Sequence, residues 1–562
     1  MGLPMLKRTN ADASAPIAGL RVSKQQLRDH DAATGDHDGD ETTGGWLSQM
    51  MRSVVGTPTP WHQRTPKGRG WGVRGGGDTV VVQPALEWRG TTVQLCGLWP
   101  FAAGSALPPI GTPLGTHLLT GATVCADPMS WFTAAMTTTP SAFVIGRPAV
   151  GKSTLIRRQL VGMADRGIIP MVLGDTKPDY VVLIRELGGH MVRIGKVDTN
   201  LDTGETTYGH INPLDLIGSH GHLADLPAAV RPWAREHLIT QQSTVLRGLL
   251  EIANQGEPLP GELASLLRTA LMYLQVDDQG NPLPGPAPTI RDVLALFETE
   301  TPPQVLVNKV IADDVDDFRR ITRPLRLLLM ALLSDGMFGP IFDGPTEHLD
   351  ITRPGGFDIS AVDDDGPTQA AVQLACWAYG NASIALATRM ADIGVGPRRR
   401  YVLVMDELWK LLRASDTLVY RVDKLTRLNR ELGVGQIMAS HTMNDLRLAT
   451  EELTRVAWGF VERSAMVFLG GLVDREFGNL KEVFSLSQRE QGFITDWAQE
   501  GTVDPTTGRS PGPRGRGKFM LKLGKQPGIP FQVVLTDRER YANDTNRRWA
   551  ELAQTNPDQE VA

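Results

Sequence analysis

The sequence predicts an α/β protein built on a mostly parallel sheet. Three observations point there. From about residue 139, apolar runs of strand length alternate with segments of helical spacing. A glycine-rich loop, 146-GRPAVGKS-153, lies between one such run (Phe143-Val144-Ile145) and a helical pattern (Thr154-Leu155-Ile156 to Leu160). Another run, 402-VLVMDE-407, is four apolar residues followed by two acids, as in a buried strand that ends at the carboxyl edge of its sheet.

Composition narrows the class. The 562 residues carry 57 Lys and Arg against 63 Asp and Glu, and the net charge of −6 argues against a basic DNA-coating protein. Apolar residues at 41% suffice for sizeable cores. Cys96, Cys125 and Cys376 are scattered with no C-x-x-C pair, so neither a disulfide framework nor a thiolate zinc site is expected, and the chain fits a reducing compartment. No secretory signal is expected from the residues after Met1. The longest aliphatic run, Leu327 to Leu333, falls short of the ~20 residues of a membrane helix, so no intrinsic membrane span is expected.

Residues 1–50 are expected to be a disordered tail. Between Asp29 and Glu41 the chain has six acids and no apolar residue larger than alanine, too little to offset the entropy of ordering. Residues 51–138 read as a small β-rich region. It opens with Arg52, Arg64, Lys67, Arg69 and Arg74 interleaved with Trp61 and Trp71, either a contact for an anionic partner or a solvated Gly-rich linker. The β-branched runs 79–82 and 91–95 follow. Residues 139–545 form the α/β domain, with strand candidates 141-SAFVIG-146, 168-IIPMVLGD-175, 401-YVLVMDE-407 and 435-GQIMASH-441. A helical insertion is expected at about 220–345, rich in Leu and Ala and broken at 256-GEPLPGE-262 and 280-GNPLPGPAP-288. Thr289 followed by Asp292 marks a helix start inside it. Residues 546–562 are a C-terminal tail.

The loop matches G-x-x-x-x-G-K-[ST] in full, in the strand–loop–helix context that makes it a P-loop. Gly146 and Gly151 let the backbone curl so that the N–H groups of Arg147, Pro148's neighbours Ala149 and Val150, and the residues through Thr154 face phosphate oxygens. Lys152 is placed to reach the β- and γ-phosphates and the Ser153 hydroxyl to ligate Mg²⁺. Asp406 is the expected partner in the Mg²⁺ shell, and Glu407 the base that polarises an attacking water. The separation of Lys152 and Asp406 by 254 positions counts against a minimal nucleotide kinase or small GTPase, and no N-K-x-D guanine motif occurs, so ATP is the expected nucleotide. Ser440 and His441 end the next strand candidate, 34 residues after Glu407, where His441 is a candidate to sense phosphate or orient water.

These motifs resemble the TraC/VirB-type conjugation and type IV secretion ATPases of the HerA–FtsK superfamily, over about residues 100–540. The likeness rests on the P-loop, 174-GDTKPDYVVLIRELGGHMVRI-194, 210-HINPLDL-216, 357-FDIS-360, the box Asp406-Glu407-Leu408-Trp409, 485-SLSQREQGFI-494 and 518-KFMLKL-523. It implies a RecA-like P-loop NTPase domain, ATP hydrolysis with Mg²⁺, and a ring, a hexamer, at the inner face of the membrane. Other secretion-channel components, and DNA, would be its partners. An arginine from a neighbouring subunit would complete each site, with Arg427 and Arg455 as candidates. Asp175 and Lys177 are candidates to support the site, and the loop 509-RSPGPRGRGK-518 to line a central pore. This chain departs from the family pattern in Ser440-His441, where Thr-Gln is usual, and in its short stretch before the P-loop. A DNA-translocating motor of the same superfamily and a nucleotide-binding scaffold are the rival readings.

Overall fold

Phe143 and Ile145 face one side of the strand that leads into the glycine loop, Ala142 and Val144 face the other, and all four are sealed from solvent. A strand buried on both faces must sit inside a layered α/β structure. The computed structural model describes residues 108–542, apart from 200–205, 334–337, 364, 415, 417, 421, 424–431 and 502–513. The expected tails at 1–50 and 546–562, the basic segment and the runs 79–82 and 91–95 lie outside the described residues.

The chain begins with a hairpin of β1 (Pro113–His117) and β2 (Thr123–Cys125) and the short helix α1 (Pro128–Thr133). It continues through β3 (Ser141–Ile145), α2 (Lys152–Asp165), β4 (Ile168–Asp175), α3 (Val181–Glu186), β5 (His190–Thr199) and β6 (Thr206–Gly209). Five helices then intervene: α4 (Arg231–Ala253), α5 (Gly261–Gln275), α6 (Ile290–Glu298), α7 (Gln304–Lys309) and α8 (Val315–Ala331). After them come β7 (Gly355–Ala361), α9 (Pro367–Asp392), β8 (Arg400–Met405), α10 (Leu408–Ala414) and β9 (Gly435–Ser440). The chain closes with α11 (Glu451–Glu462), β10 (Met466–Leu469), α12 (Phe477–Val483), α13 (Gln488–Trp497), β11 (Lys518–Lys522), β12 (Ile529–Val533) and α14 (Asp537–Ala542).

Among the described residues, twelve strands join one sheet in the order β2-β1-β12-β11-β10-β3-β9-β8-β4-β7-β5-β6. From β10 to β5 every pairing is parallel. The remaining pairings, at the two ends, are antiparallel. This is the α/β fold with a mostly parallel sheet that the sequence predicts. Alternate strand residues feed two cores. Leu155, Ile156, Leu160 and Met163 of α2 pack with Val144, Val402 and Val404 on one face. The larger core on the other face joins Phe143, Leu403 and Met438 to α9 and the helical insertion.

The insertion is pinned at its base by the Asn212 stretch. Asn212 Nδ2 donates to Pro288 O (3.0 Å), its backbone N–H donates to Thr346 Oγ1 (2.8 Å), and its Oδ1 accepts from Leu214 N (3.0 Å). One buried amide therefore ties the segment before the helices to segments within and after them. The helix start expected at Thr289 is α6, where Thr289 and Asp292 form a capping box. No helix among the described residues is long and apolar enough to cross a membrane.

Candidate active site

Sheet order brings the two halves of the predicted site together. β9 lies between β3 and β8, with Ile145 opposite Ser440 and Met405 opposite Met438. Residues just beyond these pairs, Gly146, His441, Asp406 and Glu407, thus leave the same edge of three adjacent strands. Ligands bind at that carboxyl edge in parallel α/β sheets.

The loop from Gly146 to Ser153 has the backbone its glycines predict. Gly151 caps α2 at φ 98°, and Ala149 also adopts positive φ. A Cβ on Gly146 would lie 2.9 Å from Val150 Cγ2 and 3.2 Å from Gly470 Cα, so only glycine passes there. Three further contacts hold the loop from the C-terminal part of the chain; in one, Arg147 N donates to Gly471 O (3.1 Å), so this N–H is turned to the chain and not, as expected, to phosphate. Gly517 N donates to Val150 O (2.8 Å), and Arg147 Nη1 donates to Ala498 O (2.7 Å).

Lys152 begins α2, and its Nζ turns back into the loop to donate to Gly146 O (2.8 Å). It also lies 2.7 Å from His441 Nδ1. Burial lowers the Lys152 pKa to about 8, against the pull of Asp406 and Glu407 in the other direction. His441 Nε2 lies 3.2 Å from Glu407 Oε1. An ammonium only donates, so His441 accepts at Nδ1 and carries its proton on Nε2, toward the carboxylate. Lys152, His441 and Glu407 form one continuous chain.

Glu407 is buried and sits at φ 51°, the left-handed region. Its Oε1 also takes Lys177 Nζ at 2.9 Å, and its Oε2 takes Trp409 Nε1 at 2.7 Å. Burial would raise its pKa, but the hydrogen bonds from His441 and Lys177 outweigh this and hold the carboxyl well below the usual range. Asp406 is shifted the other way by burial and by the charge of Glu407. Its Oδ2 accepts from Tyr180 OH (3.0 Å) and its Oδ1 from Glu407 N (3.0 Å). Gln373 of α9 donates to the Asp406 carbonyl (3.3 Å). Asp175 accepts from the backbone of Asp179 (3.1 Å) and Tyr180 (2.8 Å), which fixes the turn that carries Lys177 and Tyr180.

The donors present suit a magnesium-bound nucleoside triphosphate. The curled loop has no room for a Cβ at Gly146, and the Ser153 hydroxyl and Asp406 carboxylate are hard oxygen ligands of the kind Mg²⁺ takes.

No protein-family model matches the sequence, and no curated protein does. A solved structure of VirB4 from Thermoanaerobacter pseudethanolicus superposes with a TM-score of 0.54 at 16% identity, covering 78% of this chain and 100% of that one. The fold is shared with VirB4. The plasmid coupling protein TrwB, in complex with a non-hydrolysable ATP analogue, gives a TM-score of 0.42 at 13% identity over 79% of this chain and 92% of that one, too loose to add to this. The VirB4-like fold is the RecA-like P-loop arrangement that the motifs imply.

Of the residues singled out from sequence, Gly146 through Thr154, Asp406, Glu407 and His441 converge at this edge. Arg455 is exposed on α11. Arg427 and residues 509–513 of the loop 509–518 lie outside the described residues. The contacts that sequence reasoning missed are Tyr180 OH and Gln373 on Asp406, and the Gly517 N–H on the loop. Gln373 had a signal, as a lone amide in the apolar run Ala370-Ala371-Val372-Gln373-Leu374-Ala375. Tyr180 stands in the family-like segment 174–194 and Gly517 in the loop 509–518, but their contacts with Asp406 and Val150 depend on tertiary placement.

Proposed function

We propose that this protein is an ATP-hydrolysing motor that powers a type IV secretion or conjugation apparatus. The observation that carries the reading is the convergence of Lys152 with Asp406 and Glu407 at one edge of a VirB4-like sheet. In this reading the loop N–H groups and Lys152 hold the triphosphate and neutralise charge that develops on it. Ser153 and Asp406 would hold Mg²⁺, which supplies charge neutralisation between the phosphates when bound. Glu407 accepts a hydrogen bond from the attacking water and takes its proton.

The motor would act as a ring, a hexamer, peripheral to the inner membrane through other channel components. Arg427 and Arg455 are the candidates to reach a neighbouring site. The test is phosphate release by the purified full chain with Mg²⁺-ATP, read alongside its mass with a non-hydrolysable analogue, with and without DNA. Turnover with ring formation supports the motor. A steep salt-dependent DNA stimulation would favour a DNA translocase instead. Nucleotide binding with no phosphate release would favour a scaffold.

A further inference from the structure

The Glu407 carboxylate is held on both of its oxygens. Three elements converge on its two oxygens: Lys177 from the turn after β4, His441 from the end of β9, and Trp409 from the first turn of α10. Two of the three contacts are at or below 2.9 Å. The backbone beneath the carboxylate is held at φ 51°, and for a non-glycine residue such a conformation persists only where the surroundings impose it. The orientation of this carboxylate is therefore built, not incidental.

We infer that Lys177 and Trp409 are positioning residues that fix the direction in which Glu407 presents its carboxylate to the attacking water. The inference rests on the ATPase reading above and adds to it the residues that aim its base. Trp409 fixes Oε2 from one side. Lys177 and His441 together fix Oε1 from the other. A base that proximity must align loses rate steeply when its support is loosened, because misplacement by about an ångström is enough to cost ~10²-fold. The two supports differ in kind. Trp409 is a rigid, partly buried indole whose neighbours Lys410 and Arg413 lie over its ring face at 5.9 and 5.1 Å. Lys177 leaves 61% of its side chain in solvent. Its ion pair can lengthen as the proton moves onto Glu407, while the indole contact holds.

The charge of Lys177 acts on Lys152, but the hydrogen-bond geometry otherwise keeps these residues off the phosphate loop. Both touch Glu407, and neither has a contact with the loop Gly146–Ser153 among the hydrogen bonds of the described residues. Loosening them should change kcat per active site and leave the ATP KM nearly alone; because a loss of folded molecules would also lower apparent kcat at constant KM, the rate is taken per analogue-binding site and compared at matching melts.

The experiment is steady-state ATP hydrolysis by the full chain as wild type, Lys177→Met, Lys177→Arg and Trp409→Phe, with binding of a fluorescent ADP analogue and a thermal melt for each. The expected result is a loss of about tenfold in kcat for Lys177→Met and Trp409→Phe, a KM within about twofold of wild type, and recovery of most of the rate in Lys177→Arg. Unchanged or raised kcat in both truncations, with matching melts, would overturn the inference and leave the ATPase reading standing. A wild type that binds the analogue and hydrolyses nothing would overturn both.

Discussion

Lys152 Nζ and His441 Nδ1 lie 2.7 Å apart across 289 residues of sequence. The contact exists because β9 is inserted between the P-loop strand and the strand that ends in Asp406 and Glu407. It places an imidazole where it can accept from the lysine and donate to the carboxylate at once.

His441→Ala should therefore lower hydrolysis by about 10- to 100-fold, within the range for a group that supports proton transfer. His441→Gln should lose less, because an amide both accepts and donates. Phosphate release by the two variants checks this. Equal losses would mean that the bridge itself is unimportant.

Asp175 makes stability depend on pH. Burial favours its protonated form and pushes it up to about 7 from an ordinary value of 3.8. Folding then takes up a proton between those values. The associated stability is fully present below about pH 4 and is lost as pH rises through about 7, by up to ~4 kcal/mol. Melting temperatures of wild type and Asp175→Asn across this window should converge at the acid end, and the wild type should fall faster toward neutrality.

Mg²⁺-ATP should raise the melting temperature, because a ligand that binds only the folded state adds about 2.7 kcal/mol at a hundredfold excess over Kd. Chelating the metal should cut the shift, and Ser153→Ala should make the shift nearly insensitive to chelation. Differential scanning fluorimetry in each condition reads both effects.

Asn212→Ala should destabilise the protein without touching the chemistry. The change leaves the Pro288 carbonyl and the Leu214 N–H without their partner inside the protein, each at a cost of about 1–3 kcal/mol. A lower melting temperature with near-normal turnover per folded molecule is the expected pair of results.

Much of the fold could be read from local pattern. Ser141–Ile145, Ile168–Asp175 and Gly435–Ser440 are strands because apolar runs with turn-formers at their ends have few other uses. The P-loop and the Asp406-Glu407 pair were legible because their chemistry needs fixed residue types at fixed spacing. The order β3-β9-β8 was not, since strand neighbours are chosen by packing across hundreds of residues. Nor was the antiparallel extension, where β1 and β2 join β11 and β12 on the sheet that carries the P-loop. The 210-HINPLDL-216 stretch is one of the family-like segments, and its buried Asn212 holds the helical insertion in place.

The most direct test is to compare Lys152→Ala and Glu407→Gln with wild type in one experiment that reads both ATP binding and phosphate release. Lys152→Ala should lose both. Glu407→Gln should bind ATP as wild type does and release phosphate at least about 100-fold more slowly. A Glu407→Gln protein that hydrolyses ATP at the wild-type rate would show that the two halves of this edge do not act as one site.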